Sequence, residues 1–314
     1  MARVRERRLR PGSGGATSKL RGRENRDGIT LVAPVVLVVA AIIVVPIVWT
    51  VVLSFQDARY VDVARNGLFN ELTLDNYADV LTAPAFWRAL VTTVQYSVAT
   101  TVGSITVGLV AALAFRDRFR FRAPLRAVML LPYVAPVVAT TFVWQVALNP
   151  QYGVVNAFGT QVLGWEHPVS FLSAAPTALG TVIVYDIWRY FPFAFLFLGA
   201  ALTGLGKEIE EAAVVDGATP LQKFRFVVLP QLLPTIALLV LFRMVMAFNE
   251  FDDVYLLTGG AAGTQVASVR VFEQLTGSSD IGGASATAAV MAVFLGVALA
   301  IYLRLTARQR EENR

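Results

Sequence analysis

The sequence predicts an all-α, polytopic membrane protein with six transmembrane helices and a cytoplasmic helix–turn–helix segment. Of its 314 residues, 56% are hydrophobic and 16% are charged, whereas soluble domains carry about 25% charged residues. Six apolar stretches each approach or exceed the roughly twenty residues that a helix needs to cross a bilayer. A polar segment rich in small residues, 203–233, separates the fourth stretch from the fifth.

The domain organisation follows from these stretches. Residues 1–28 carry nine Arg or Lys residues and few apolar ones, so they are predicted to form a disordered basic tail. The transmembrane domain covers 29–305, and 306–314 form a second tail. The first apolar stretch is too long for a signal peptide and no cleavage site follows it. The predicted spans cover about 30–55, 88–115, 125–148, 176–202, 234–257 and 283–304.

Two of these spans have features that bear on helix packing. The second is rich in Val, Thr, Gly and Ala, and small residues favour close contact between membrane helices. The third contains Pro132 and Pro136, which membrane helices tolerate.

The distribution of positive charge predicts the orientation of the spans. With six spans, the N-terminal tail, the 116–126 loop, the 203–233 segment and the C-terminal end from Arg304 onward lie on one side and carry 9, 5, 3 and 4 Lys or Arg residues. The opposite side carries 4. Because basic loops stay in the cytoplasm, both termini and the 203–233 segment are expected there.

Local signals predict the shape of the 203–233 segment. Lys207 to Val215 reads as a short helix, and Gly217 then suits the left-handed residue that ends many helices. Thr219 can cap a second helix and Pro220 suits its first position. This second helix is predicted to stop at Pro230.

Composition argues against catalysis by this chain. It has no cysteine, one histidine (His167) in an external loop, and no H-E-x-x-H motif. Gly206-Lys207 lacks the earlier glycine of a phosphate-binding loop, so the chain is not expected to hydrolyse ATP. We assign no catalytic residue, metal ligand or bound cofactor to it. The net charge of +5 lies at membrane-adjacent positions, so no nucleic-acid partner is expected.

Polar residues inside the spans are candidates for a substrate path, because ionisable groups at that depth usually face a bundle interior or a water-filled path. Asp186 and Arg189 are three residues apart in the fourth span and are expected to pair. Arg243 lies in the fifth span, with Asn249 and Glu250 beyond it. Salt-bridged structural groups are the alternative interpretation. Aromatic surface that could stack on a sugar comes from Tyr185, Trp188, Tyr190 and Phe193.

One spaced pattern resembles a known family. Glu211-Ala212-Ala213, then Gly217, then Val227-Val228-Leu229-Pro230 is similar to the EAA–G–I–LP signature of the permease subunits of bacterial ABC importers, with valine where isoleucine is usual. Further marks resemble the carbohydrate branch, specifically its maltose-type first permease subunit. These marks are Asn76-Tyr77, Leu131-Pro132, Trp188 with Pro192-Phe193, Asp216-Gly217-Ala218, and Phe251-Asp252 with Leu257-Thr258-Gly259-Gly260.

The resemblance covers about residues 30–305 and implies a mechanism. The 203–233 segment would be a coupling helix that docks on a separate ATPase dimer, which binds ATP and Mg. The other partners would be a second permease subunit, an extracytoplasmic solute-binding protein and the lipid bilayer of a bacterial inner membrane. The implied coupling residues are Glu211, Ala212, Ala213, Asp216, Gly217, Pro220, Leu229 and Pro230. The implied substrate-path residues are Asp186, Arg189, Tyr190, Phe193, Asn249 and Glu250.

The resemblance implies import of a sugar or sugar derivative, and two alternatives stay open. The same architecture could import glycerol phosphate, a polyol or another polar solute, and Arg189 and Arg243 are the reason to consider an anionic cargo. An ion-coupled secondary transporter is the alternative from another class. It would use Asp186, Glu250 and Asp253 as proton or cation sites, although the inverted repeats common in such proteins are not evident.

Overall fold

The computed structural model describes residues 14–67, 69–117 and 119–312, with side chains described for most of them. The described part contains helices and two isolated β-bridges, Gln56–Leu72 and Arg59–Asp280. The all-α fold class is therefore confirmed for these residues. The chain divides into two compact units between Val52 and Leu53.

The first unit contains most of α1 (Gly14–Ser54). Its apolar part, Val32–Ser54, is long enough to span a membrane, and most of its side chains up to residue 48 are exposed, as a lipid-facing helix requires. The helix begins at Gly14, so residues 14–28 of the predicted disordered tail are helical. Residues 1–13 of that tail, and 313–314 of the C-terminal one, lie outside the described residues.

The second unit contains the remaining helices. The first group comprises α2 (Tyr60–Asn66), α3 (Asp75–Thr82), α4 (Pro84–Ala114), α5 (Arg122–Val134), α6 (Val137–Ala147) and α7 (Val154–Gln161). The second group comprises α8 (Thr177–Thr203), α9 (Lys207–Val215), α10 (Pro220–Lys223), α11 (Leu229–Phe248), α12 (Asp252–Thr258), α13 (Ala267–Thr276) and α14 (Ile281–Glu312).

Five helices in the described part are long and apolar enough to cross a membrane: Val32–Ser54, Pro84–Ala114, Thr177–Thr203, Pro220–Phe248 and Ile281–Ala307. The predicted third span is not one straight helix, because α5 and α6 meet at an angle of 96°. Pro136 follows Ala135, whose ψ of 144° is extended. A proline disfavours helical geometry at the residue before it, so the span breaks there.

The predicted fifth span also differs from the structure. The chain is helical without a break from Pro220 to Phe248, with a π turn at Phe224–Val228. The helix therefore does not stop at Pro230, because this proline lies at the start of α11 directly after the wide π turn. The helix ends at Phe248, before the predicted limit of residue 257, and α12 follows after a short break.

The core of the second unit forms where α4 and α8 pack closely. At Gly108, an added Cβ would lie 2.6 Å from Ala194 Cβ and 2.8 Å from Phe195 N. This spacing confirms the close helix contact predicted from the small residues of the second span. Buried apolar side chains from α11 complete this cluster with Leu232 and Leu239.

Candidate functional site

The polar residues predicted inside the spans form a buried charged network. Asp186 on α8 is fully buried and forms an ion pair with Arg243 on α11. The Tyr96 hydroxyl on α4 donates a hydrogen bond of 2.6 Å to Asp186 Oδ2. Three membrane helices thus contribute one residue each to a buried polar contact.

Arg189 forms the second part of the network. Its Nη1 donates to Thr140 Oγ1 at 3.1 Å and to the Tyr185 hydroxyl at 3.3 Å. Its Nε lies 3.7 Å from Asp253 Oδ1 on α12. The predicted pairing of Asp186 with Arg189 is therefore wrong, because each residue finds its partner on another helix.

Glu250 connects the two ion pairs from the break between α11 and α12. Its Oε1 accepts a hydrogen bond from the backbone N–H of Asp253 at 3.2 Å, and its Oε2 accepts one from the Tyr190 hydroxyl at 3.5 Å. The guanidinium carbon of Arg243 lies 4.0 Å from the centroid of the Tyr190 ring. The break in the helix thus places a carboxylate against residues of α8.

The network holds one more acidic group than basic ones. Carboxylate oxygens of Asp186, Glu250 and Asp253 lie within 4.8 Å of one another and could hold a cation, whereas Arg189 and Arg243 supply two positive charges. Among the described residues, neither carboxylate oxygen of Asp253 has a hydrogen-bond partner, and Arg243 Nε and Nη1 also lack one. Buried polar atoms without partners are costly, so a ligand hydroxyl or water that met them would be stabilised.

Two predicted substrate-path residues lie outside this network. Asn249 is exposed, and its Nδ2 donates to the Val245 carbonyl at 2.9 Å. Phe193 instead packs with aromatic rings, with centroid distances of 6.0 Å to Tyr133 and 4.9 Å to Phe197.

Sequence reasoning gave Arg243 and Asp253 a role only within the alternative functions and gave Tyr96 no role. Arg243 and Asp253 stand out as charges in apolar stretches, which is the signal that marked them. Tyr96 gives no comparable signal, because a tyrosine in a membrane helix is more often a packing or interfacial residue.

The predicted coupling residues lie on a helix, a turn and a second helix, as expected for the shape of this segment. Gly217 has φ 82° after α9, in the left-handed region that favours glycine. Thr219 and Gln222 form a capping box at α10, which begins at Pro220. Among the other predicted coupling residues, Glu211, Ala212, Asp216 and Pro230 are exposed, whereas Ala213 and Leu229 are half-buried.

Apolar side chains are exposed on the same segment. Val214 is 58% exposed, Val215 is 87% exposed and Leu221 is 75% exposed. They flank Gly217 on both sides. Exposed apolar groups that lie together often mark a protein–protein contact.

An ion pair that the sequence analysis missed attaches α9 to the loop after α4. Arg116 Nη1 donates to Glu210 Oε2 at 2.8 Å, and a second bond joins its Nη2 to Oε1. Lys223 Nζ on α10 lies 3.7 Å from Glu210 Oε2. The hydrogen bonds from Arg116 hold the pKa of the Glu210 carboxyl below its usual value. This carboxylate therefore joins α9, α10 and the loop.

Comparisons with known proteins place the chain in a family. Residues 104–311 match the family described as binding-protein-dependent transport system inner membrane component. The chain is 32% identical over 268 residues to the inner membrane ABC transporter permease protein YcjO of Escherichia coli, covering 85% of this chain and 89% of that protein.

A second relative and a solved structure agree with this placement. The trehalose/maltose transport system permease protein MalF of Thermococcus litoralis is 32% identical over 255 residues, covering 81% of this chain and 84% of that protein. A structure of a bacterial ABC transporter involved in the import of the acidic polysaccharide alginate has the same fold, with TM-score 0.78 and 20% identity over 92% of this chain and 99% of that one. The chain therefore belongs to the family of inner-membrane components of binding-protein-dependent transport systems, as a multi-pass permease subunit.

Proposed function

We propose that the chain is one permease subunit of an ATP-driven importer of a sugar or sugar derivative. A solute-binding protein would deliver the cargo, a second permease subunit would complete the path, and an ATPase dimer would bind ATP and Mg. The names of the relatives support the sugar cargo, since one is a trehalose/maltose permease. The distribution of Lys and Arg supports cytoplasmic termini and a cytoplasmic 203–233 segment.

The observation that carries the proposal is the exposed helix–turn–helix between two membrane helices. Its second helix continues as the membrane helix Pro220–Phe248 without a loop. Its surface combines small residues, Ala212 and Ala213, with the exposed Val214 and Val215. Small side chains let a partner approach closely, and the apolar ones give it surface to bury. We assign coupling to the ATPase to this segment.

We assign the substrate path to the surroundings of the charged network. A bundle that alternates between two states must rearrange contacts among α8, α11 and α12, which carry Asp186, Arg243 and Asp253. Sugar hydroxyls both donate and accept hydrogen bonds. They could therefore hydrogen-bond to the carboxylates and guanidinium groups when the ion pairs between these groups come apart. The arginines do not favour an anionic cargo, because Asp186 and Asp253 already neutralise them.

Uptake by the reconstituted complex tests the proposal. The full chain is purified from its native membranes with its bound partners and placed in liposomes, and uptake of radiolabelled trehalose, maltose and glycerol phosphate is measured. We expect uptake of a sugar that requires both ATP and the binding protein. Uptake that persists after the ATPase is stripped and ATP is removed would contradict the proposal. Transport of glycerol phosphate alone would contradict the sugar assignment.

A further inference from the structure

A basic cavity lies where three membrane helices end, close to the ion pair between Arg116 and Glu210. Its volume is about 340 Å³. The polar wall contains Arg116, Arg122, Arg126 and one acid, Asp117, and the apolar wall contains Phe195 and Leu202 among others. Since a water molecule occupies about 30 Å³ in the liquid, the cavity has room for a group much larger than water.

Two of the three arginines keep their charge free for a ligand. Arg116 is paired with Glu210, but neither Arg122 nor Arg126 forms an ion pair within the part of the chain that the structure describes. The Nε of Arg122 is buried and has no hydrogen-bond partner there. A buried donor without an acceptor is costly, so an anion that reached it would be stabilised.

An aromatic ring and a glycine lie beside the guanidinium group of Arg126, which lines the cavity. The guanidinium carbon of Arg126 lies 5.4 Å from the centroid of the Phe195 ring. An added Cβ at Gly199 would lie 3.5 Å from Arg126 Nη2, so the glycine keeps the space beside this group open. α5 begins at Arg122, with no side-chain cap from the described residues, and the positive end of its dipole adds to the positive potential in the cavity.

The level of the cavity in the fold indicates the chemistry of its ligand. α4 ends at Ala114, α5 begins at Arg122 and α8 ends at Thr203, so the cavity lies at the ends of the apolar spans, where lipid headgroups are found. Guanidinium groups bind phosphate oxygens in a forked geometry, and basic pockets between membrane helices bind anionic headgroups. We propose that this cavity binds a phosphate group, carried by an anionic lipid of the adjacent leaflet or by a soluble phosphate. This inference does not depend on the transported cargo.

Native mass spectrometry of the full chain in neutral detergent tests the proposal. The probes are phosphatidylglycerol, phosphatidylcholine and inorganic phosphate. We expect phosphatidylglycerol to bind more tightly than phosphatidylcholine, and Arg122→Gln and Arg126→Gln each to weaken its binding about fivefold. The matched control is Arg120→Gln, because Arg120 is an exposed residue of the same loop that does not line the cavity. This variant is expected to bind phosphatidylglycerol as tightly as the unaltered chain.

A second variant fills the cavity without removing charge. Gly199→Leu keeps all three arginines but occupies the space beside Arg126, so it should also weaken lipid binding, and it serves if an arginine variant does not fold. The soluble source would be identified if inorganic phosphate binds saturably, the same variants weaken that binding, and the chain shows no preference for phosphatidylglycerol. Equal binding of both lipids together with no phosphate binding, or an equal loss in Arg120→Gln, would overturn the proposal.

Discussion

Asp186 on α8 and Arg243 on α11 form an ion pair closed to solvent, with side-chain exposures of 0% and 1%. The Tyr96 hydroxyl satisfies the second oxygen of Asp186. The pair therefore joins α8 to α11 within the buried charged network. Removing one partner leaves a buried charge without compensation, which is more costly than removing both.

The first prediction concerns this pair. Arg243→Met should lower the free energy of unfolding by about 3–5 kcal/mol, measured by thermal denaturation of the purified chain. Asp186→Asn combined with Arg243→Met should recover part of that loss, because position 186 then no longer carries a buried charge that has lost its partner. The control is Arg225→Met, at an exposed position, and it should change little. A double variant as unstable as Arg243→Met would contradict the interpretation.

The second prediction concerns the contact between α4 and α8. Gly108→Ala should destabilise the bundle by about 1–3 kcal/mol, the usual cost of overpacking, because the new Cβ would lie 2.6 Å from Ala194 Cβ. Gly180→Ala is the matched control in α8, where an added Cβ meets nothing within 4 Å. Thermal denaturation compares the two, and equal midpoints would contradict the close approach of the helices.

The third prediction concerns the glycine turn. Gly217→Val should abolish coupled uptake without preventing membrane insertion, because a β-branched residue does not readily adopt φ 82°. Gly217→Asn should retain part of the activity, since asparagine tolerates this region better. Gly206→Val is the control. Like Gly217 it has open space around an added Cβ, but its φ is −64°. Unchanged uptake in Gly217→Val would refute the role of the turn.

The fourth prediction concerns Glu250. Glu250→Ala removes the acceptor for Tyr190 and for the Asp253 N–H, so it should change uptake or substrate-stimulated ATP hydrolysis in the complex. Asp252→Ala removes an exposed carboxylate two positions away and should have little effect. If uptake and ATP hydrolysis by the Glu250→Ala complex equal those of the unaltered complex at every substrate concentration, the substrate path lies elsewhere in the protein.

The fifth prediction concerns pH. Because Arg116 lowers the pKa of the Glu210 carboxyl in the folded protein, the ionised form stabilises the fold. This contribution is fully present above the ordinary pKa of about 4.3 and is lost as pH falls through the lower folded value. Hydrogen exchange in α9 should therefore speed up, beyond the intrinsic effect of pH, in strong acid. Glu210→Gln should remove this dependence, whereas the exposed Glu211→Gln should keep it.

The sequence predicted the order of the five long apolar helices, and a sixth span where α5 and α6 form a bent pair, because hydropathy depends on local composition. It could not predict the 96° bend between α5 and α6, since apolar residues continue across Pro136 and the direction of the chain depends on the torsion at Ala135. The predicted stop at Pro230 failed for a related reason. A π turn before this proline keeps the helix continuous, and nothing in the local composition indicates that turn.

The charged network shows the same limit. Asp186, Arg189 and Glu250 were predictable as functional candidates, because each is an ionisable group in an apolar stretch. Their partners were not predictable, since Arg243 and Tyr96 are 57 and 90 residues from Asp186 along the chain. Pairing across such distances depends on which helices become neighbours. The predicted i, i+3 pair used only local spacing and was wrong.

The helix from Pro220 to Phe248 runs without a break. At 1.5 Å per residue, its 29 residues give a rod of roughly 43 Å. The capped turn at Thr219 lies at one end, and the break that holds Glu250 lies at the other. Because the helix is continuous, a small tilt at its Pro220 end swings its Phe248 end, next to the break from which Glu250 contacts Tyr190.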